Sequence, residues 1–358
     1  MKLAMPVPLM KQLAIPLSCK KRSKRLVISR MRARGTRFAS FTLIVTALLL
    51  FFAAPAAHAK PPADLAAGLQ PAQQALAAGD YKKAYAQYSR VAAKNPLAQF
   101  TLGMFHRNGW GLPADPVKAC RWFEKAAQRQ IPVAQQFFGD CLAQGIGRAA
   151  DYQSAIGWYS KAAAGGDLIA LCSAADIYIK GLGVDKNVRR GLELCAQAAQ
   201  ANSPPAMLKL GDYYRDGTDV PQDLAAARYW YQQAAERHAS EAQYRLGVML
   251  SEGQGGAPDL NAAVFWLETA ASEGYAPAYL PTVVLYANAE VDPKTGALKP
   301  EHLAKIYLWN SAAKARTTDE AQLAEIARIE TLVLSVMPPT WRPDLDKKVA
   351  EHLAKYNK

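Results

Sequence analysis

Histidine and cysteine are scarce in this chain, five of each among 358 residues. The histidines, His58, His106, His238, His302 and His352, are scattered, and no two stand at the spacing that brings a pair of ligands to one metal ion. No nucleophile with a base and no phosphate-binding loop accompanies them. No residue is therefore assigned a catalytic role, and neither a cofactor nor a metal is expected. Acidic residues are missing from one end. Residues 1–59 hold eleven Lys and Arg and no Asp or Glu, whereas residues 60–358 carry 32 basic against 30 acidic side chains. The net charge of +13 thus belongs almost wholly to the first segment. The remainder has no basic stripe to contact phosphates, which excludes nucleic acid as a partner. A long apolar run is missing too. Phe41–Phe52 is twelve residues, short of the roughly 20 that a helix needs to cross a bilayer.

That run reads instead as the apolar part of a secretory signal peptide. Arg32, Arg34 and Arg37 precede it, and Ala57-His58-Ala59 puts small residues at the two positions signal peptidase reads. Cleavage is expected after Ala59, leaving a mature chain that starts at Lys60, has no stable membrane span, and is periplasmic or secreted. The first thirty residues are long for a basic leader, and Met31 would begin one of ordinary length. An uncleaved anchor is the alternative. No cysteine stands directly after the run, and Cys19 lies upstream of it, which argues against a lipoprotein.

What the chain has in abundance is self-similarity. Gly109, Gly145, Gly181, Gly217 and Gly253 are each 36 residues apart. Asp115, Asp151, Asn187, Asp223 and Asp259 keep the same step, as do Trp122, Trp158, Leu194, Trp230 and Trp266. So do the pairs Ala126-Ala127, Ala162-Ala163, Ala198-Ala199, Ala234-Ala235 and Ala270-Ala271. A period of this length marks a solenoid, in which each unit buries its apolar face only against its neighbours. In each unit a helix A carries an apolar stripe, Ala98, Leu102 and Phe105 in the first, and ends at the glycine of the 36-residue series, where a left-handed residue can stop it. The Asp series then caps a helix B. Glycines inside helix A, at Gly103, Gly139, Gly211 and Gly247, each cost about 1 kcal/mol of propensity, which implies close approach by a neighbouring helix. The Gly-x-Gly turns and the tryptophans are read as structural, with Trp110, between two glycines, as the exposed exception.

The repeated pattern Ala-x3-Leu-Gly-x5-Gly-x-Gly-x3-Asp-x3-Ala-x2-Trp-Tyr/Phe-x2-Ala-Ala resembles the Sel-one-like repeat (SLR), a helical-hairpin family related to tetratricopeptide (TPR) repeats. The expected fold is all-α, a right-handed superhelical solenoid of antiparallel hairpins. Its parts are a TPR-like entry hairpin over 60–95, five units over 96–277, a degenerate sixth over 278–315 and capping helices over 316–358. The third unit departs from the pattern, with Ala174-Ala175 for Leu-Gly and Leu194 for Trp; the sixth has Ala289 for the closing glycine and a loop lengthened by six residues. The resemblance implies a non-catalytic scaffold of the bacterial cell envelope that binds a protein or peptide in a concave groove. It leaves two other readings open, a β-lactam or cell-wall hydrolase of the cysteine-rich branch and a glycan-associated envelope protein.

Four cysteines follow the leader, Cys120, Cys141, Cys172 and Cys195, an even number that suits disulfides in an exported protein. Residues facing one another on antiparallel helices lie equidistant from the connecting turn. The midpoint of Cys120 and Cys141 falls near Gln130-Ile131, and that of Cys172 and Cys195 near Gly183, which favours those two pairs over the other connectivities; four buried free thiols remain the alternative. For the partner surface, positions two and five residues after the Leu of helix A point away from the core. Asp140, Asp176 and Asp212 occupy the first of these in three successive units, at a helix-packing step of roughly 8–10 Å. They form either a groove for a basic or amide-rich peptide, with Trp110 beside it, or a solvated face partly neutralised by Arg107, Lys180 and Arg215.

Overall fold

The computed structural model describes residues 68–356, and the expected leader, with Arg32, Arg34, Arg37, Phe41–Phe52 and Ala57–Ala59, lies outside them. Sixteen α-helices and no strand occur among the described residues. An entry hairpin of α1 (Gln70–Ala77) and α2 (Tyr81–Val91) is followed by five hairpins that each pair a helix A with a helix B. These are α3 (Pro96–Asn108) with α4 (Pro116–Gln128), α5 (Pro132–Ala143) with α6 (Tyr152–Ala164), and α7 (Ala170–Lys180) with α8 (Val188–Gln200). The fourth is α9 (Pro204–Asp216) with α10 (Leu224–Ala235), and the fifth α11 (Ser240–Glu252) with α12 (Leu260–Ser272). A sixth pairs α13 (Tyr279–Ala287) with α14 (Pro300–Lys314) across the long loop, after which α15 (Glu320–Val336) and α16 (Arg342–Lys355) both pack on α14. Each helix of the array packs on the one before and the one after, so the fold is a solenoid of helical hairpins.

The 36-residue series map onto the ends of the helices. Asp115, Asp151, Asn187, Asp223 and Asp259 each accept a hydrogen bond from the backbone N–H three residues on, at 2.9–3.0 Å, and so cap helix B; each such cap is worth about 1 kcal/mol. Gly181 closes α7 at φ +69°, and a Cβ there would fall 2.9 Å from Cβ of Lys186. Gly181→Val therefore combines left-handed strain with a clash. We expect a loss of order 1–3 kcal/mol, read as an earlier melt by circular dichroism; an unchanged melt would remove the helix-ending role.

The glycines inside helix A meet the ring of their own hairpin. A Cβ on Gly103 would stand 2.4 Å from the Phe123 ring, one on Gly139 2.7 Å from Tyr159, and one on Gly211 2.4 Å from Tyr231. On Gly247 it would meet Leu267 at 2.6 Å. The third unit inverts this solution. Ala175 replaces the glycine, Cys195 replaces the ring, and Gly191 on α8 makes room for Ile179 instead, where a Cβ would lie 2.5 Å away.

The tryptophans pack against the core, beside the centre of helix B's stripe. Phe123, Tyr159, Cys195, Tyr231 and Leu267, one residue later, hold the centre of helix B's buried stripe. Trp122, Trp158, Trp230 and Trp266 stand about 100° to its side and are half-buried against the core. The ammonium groups of Lys125 and Lys161 lie 4.5 and 4.1 Å from the Trp122 and Trp158 ring centroids. Trp110 is not the free ring expected of it. It stacks on Tyr81 at 6.2 Å and meets the edge of Phe105 at 5.5 Å, closing the entry hairpin onto the first unit.

At the far end, the His352 ring on α16 sits between Tyr279, Trp309 and Tyr356, with Tyr279 Oη 2.9 Å from its Nε2. Burial holds His106, His302 and His352 below the ordinary imidazole value, and for His352 the charges of Lys355 and Arg316 add to it. Their folded values lie below the unfolded value of about 6.5. The stability they contribute is present above pH 6.5 and is lost as pH falls from there through the folded values. Asp140 and Asp167, held above the usual carboxylate range by burial, act with the opposite sign. We expect the melting temperature to fall between pH 7.5 and 5.5 and the fall to shrink in His352→Phe. A flat profile over that window would contradict it.

Candidate interaction face

Helix A carries one ladder of register-equivalent positions, Met104, Asp140, Asp176, Asp212 and Val248. The three carboxylates are half-buried, and each accepts a tyrosine hydroxyl. Tyr159 Oη donates to Asp140 Oδ1 at 2.7 Å, and Tyr231 Oη to Asp212 Oδ1 at 2.6 Å, both from helix B of the same hairpin. In the third unit that helix B position is Cys195, and Tyr213 of the next unit donates to Asp176 at 2.9 Å instead. Burial first, and then the adjoining carboxylate, pushes Tyr159, Tyr213 and Tyr231 well above the usual phenol value. For Tyr231 the hydrogen bond to Asp212 ranks just ahead of that carboxylate's charge. All three donate at any physiological pH. Burial raises the Asp140 carboxyl, against the opposing pull of the Tyr159 hydrogen bond and the Arg107 charge.

The ladder also bridges successive units. Lys209 Nζ lies 3.1 Å from Asp176 Oδ2, and Arg245 Nη1 lies 2.7 Å from Asp212 Oδ1 while also pairing with Glu241. Both bases stand 33 residues after their acids, on helix A of the next unit. Half-exposed pairs of this kind contribute up to about 1 kcal/mol, but they set the lateral register of adjacent helices. Two of the expected neutralising groups act on the ladder, Arg107 on Asp140 through its charge and Arg215 on Asp212. Arg107 sits over the Phe137 ring at 4.7 Å, Lys180 is exposed, and Arg215 pairs with Asp216 at 2.7 Å, reaching Asp212 only at 3.8 Å.

Cys120 of α4 is bonded to Cys141 of α5, tying the first unit to the second, and Cys172 of α7 to Cys195 of α8, closing the third hairpin. A cleft of about 420 Å³ opens between α2 and the Gly111–Asp115 loop, lined by Tyr85, His106 and Lys118. An equivalent crevice recurs at Leu192, Tyr214 and Asp223, so it follows from the stacking of hairpins. Among the described residues no cluster of three or more His, Cys, Asp or Glu could hold a metal ion, and no helix is long and apolar enough to cross a membrane.

A model of the Sel1 repeat matches five times, at residues 96–130, 132–167, 168–203, 204–238 and 240–275. The chain belongs to the Sel1 repeat family. No curated protein matches the sequence at a significant level. Among solved structures it is similar to a Sel1 repeat protein from Oxalobacter formigenes, at 27% identity and a TM-score of 0.51, over 70% of this chain and 100% of that one. It is similar in fold to c5321, a protective antigen present in uropathogenic Escherichia coli strains, at 20% identity and a TM-score of 0.50. That match covers 82% of this chain and 61% of the other.

Sel1-repeat proteins act mainly as non-catalytic scaffolds for protein–protein interaction. Within this family frame the helix A ladder is built rather than merely solvated. The tyrosine partners are partly visible in the sequence: opposite Asp140 and Asp212 helix B supplies Tyr159 and Tyr231, opposite Met104 and Val248 it supplies Phe123 and Leu267, and opposite Asp176 it supplies Cys195, so that Tyr213 of the next unit takes over. The 33-residue offset from Asp176 to Lys209 and from Asp212 to Arg245 is equally legible. Sequence reasoning missed the first because it did not set helix A against helix B inside one hairpin, and the second because it did not compare units across their seams. Asp176 and Asp212 brace the array, so reversing them to Lys would set like charges against Lys209 and Arg245 and destabilise the protein along with any binding.

Proposed function

We propose that this chain is a non-catalytic adaptor of the bacterial cell envelope, exported through its N-terminal leader, that holds a protein or peptide partner along the concave helix A face. The observation that carries this reading is the ladder, a continuous row of half-exposed polar and apolar positions on one face from Met104 to Val248. Two disulfides, Cys120–Cys141 and Cys172–Cys195, support export, since such bonds persist in oxidising compartments. Periplasmic release and a mature N-terminus at Lys60 are the expected results of fractionation and N-terminal sequencing. The competing surface is helix B, where Tyr229 and Phe265 are 55% and 60% exposed. A photo-crosslinking residue at Met104 or Val248, installed in cells, is expected to trap one discrete partner, whereas the same residue at Arg121 or Phe265 traps none. Cross-links confined to Arg121 or Phe265 would overturn the helix A assignment.

A further inference from the structure

The crevice between successive hairpins recurs, but the residues that floor it differ. On helix A the register positions are Leu142, Tyr178, Tyr214 and Leu250, faced on the preceding helix B by Cys120, Ile156, Leu192 and Arg228. Between the entry hairpin and the first unit they are His106 and Tyr85 instead. Tyr85 Oη lies 3.3 Å from Nε2 of His106, which is only 7% exposed. Nδ1 of the same ring is enclosed and has no hydrogen-bond partner. Burial holds this imidazole below its ordinary value, so it is neutral at pH 7.5 and carries a single N–H. On Nδ1 that hydrogen would be a buried donor without an acceptor. It therefore belongs on Nε2, which donates to Tyr85 Oη. The Tyr85 hydroxyl keeps its own hydrogen to donate, and it has no acceptor among the described residues.

The surroundings of that hydroxyl select what it donates to. The cleft holds about 420 Å³, a small-ligand volume, with Tyr81, Tyr85 and Leu112 as apolar walls and the exposed Lys82 and Lys118 at its rim. Asp115 is the one carboxylate in the lining, and it is engaged by Lys118, through the backbone N–H at 2.9 Å and the ammonium at 3.1 Å. The lining thus carries a net positive charge. We propose that this cleft binds a small aromatic carboxylic acid, whose carboxylate accepts the Tyr85 hydroxyl between Lys82 and Lys118 while its ring lies against Tyr81 and Leu112. His106 is a positioning residue, since its donated hydrogen bond turns the phenolic hydrogen toward the ligand. It stands about 200° round α3 from Met104, so the site is separate from the helix A ladder and does not rest on the adaptor reading.

The test titrates purified protein at pH 7.5, by calorimetry, with phenylpropionate and with its neutral isostere phenylpropionamide. The acid is expected to bind about tenfold more tightly, because a charge-assisted hydrogen bond outweighs a neutral one. Tyr85→Phe keeps the ring and should bring acid and amide to within about twofold of each other. Lys118→Met removes a rim charge and leaves Asp115 facing the ligand, which should weaken the acid about fivefold and leave the amide as it was. Lys118 is exposed and its ion pair contributes little, so this variant folds even where Tyr85→Phe does not. Nitrogen NMR of the His106 ring is expected to find the hydrogen on Nε2, and His106→Leu, the residue of positions 142 and 250, to weaken the acid with Tyr85 in place. A hydrogen on Nδ1, no saturation at millimolar acid, equal binding of acid and amide, or an acid affinity that survives both Tyr85→Phe and Lys118→Met would overturn the proposal. So would tighter binding of the peptide Ala-Gly-Ala-Phe with a free C-terminus than of phenylpropionate, which would assign the cleft to a chain end.

Discussion

Reducing both disulfides is expected to lower stability by about 3 kcal/mol per bridge and to do so in one part of the array only. Cys120–Cys141 and Cys172–Cys195 close segments of 21 and 23 residues, for which the loss of loop-closure entropy in the unfolded chain gives that magnitude. Both bonds lie in the first three units. A solenoid's stability is a sum of unit and nearest-neighbour terms, so the loss stays near where it is made. The reduced protein should therefore melt in two steps, α3 to α8 first and α9 to α16 later, seen by hydrogen exchange as early opening of the former. A single transition shifted as a whole would show that the units are coupled far more tightly than nearest-neighbour packing provides.

Gly211→Ala is expected to destabilise by about 3 kcal/mol, although alanine is the better helix former by about 1 kcal/mol. A Cβ at 211 would lie 2.4 Å from the Tyr231 ring, which is fully buried and held to Asp212 at 2.6 Å. The ring must leave its place, which costs roughly 1–3 kcal/mol of overpacking and weakens a hydrogen bond to a charged group. The third unit shows what compensation looks like, since Ala175 is accommodated there opposite the small Cys195. Gly211→Ala combined with Tyr231→Cys should accordingly recover part of the loss. A stabilised Gly211→Ala protein would show that helix propensity, and not the neighbouring ring, governs this position.

The period and the capping residues made the array of hairpins legible before any coordinates, because a single asymmetric unit of 36 residues repeats its Gly, Asp and Ala-Ala positions almost without variation. The cysteine pairs were legible for the same reason, equidistance from a turn. The tryptophans were read as structural and do pack against the core, beside the centre of helix B's stripe. Tryptophan drew attention by its size, but the centre of the stripe is set by helical angle, and Phe123, Tyr159 and Tyr231 hold it. Lys209, Arg245 and Tyr213 were missed because they sit across unit boundaries, at offsets of 33 and 37 residues, whereas Tyr159 and Tyr231 lie 19 residues on in the same hairpin and were passed over as core. Trp110 was misjudged because its stacking partner, Tyr81, belongs to the entry hairpin, which does not share the period.

The assignment of the helix A face as the partner surface is tested most directly by hydrogen exchange, comparing the protein alone with the protein bound to the partner trapped from Met104 or Val248. Protection is expected in α3, α5, α7, α9 and α11, with exchange in α4, α6, α8, α10 and α12 unchanged. Protection of the helix B faces around Tyr229 and Phe265, with the ladder exchanging as in the free protein, would contradict it.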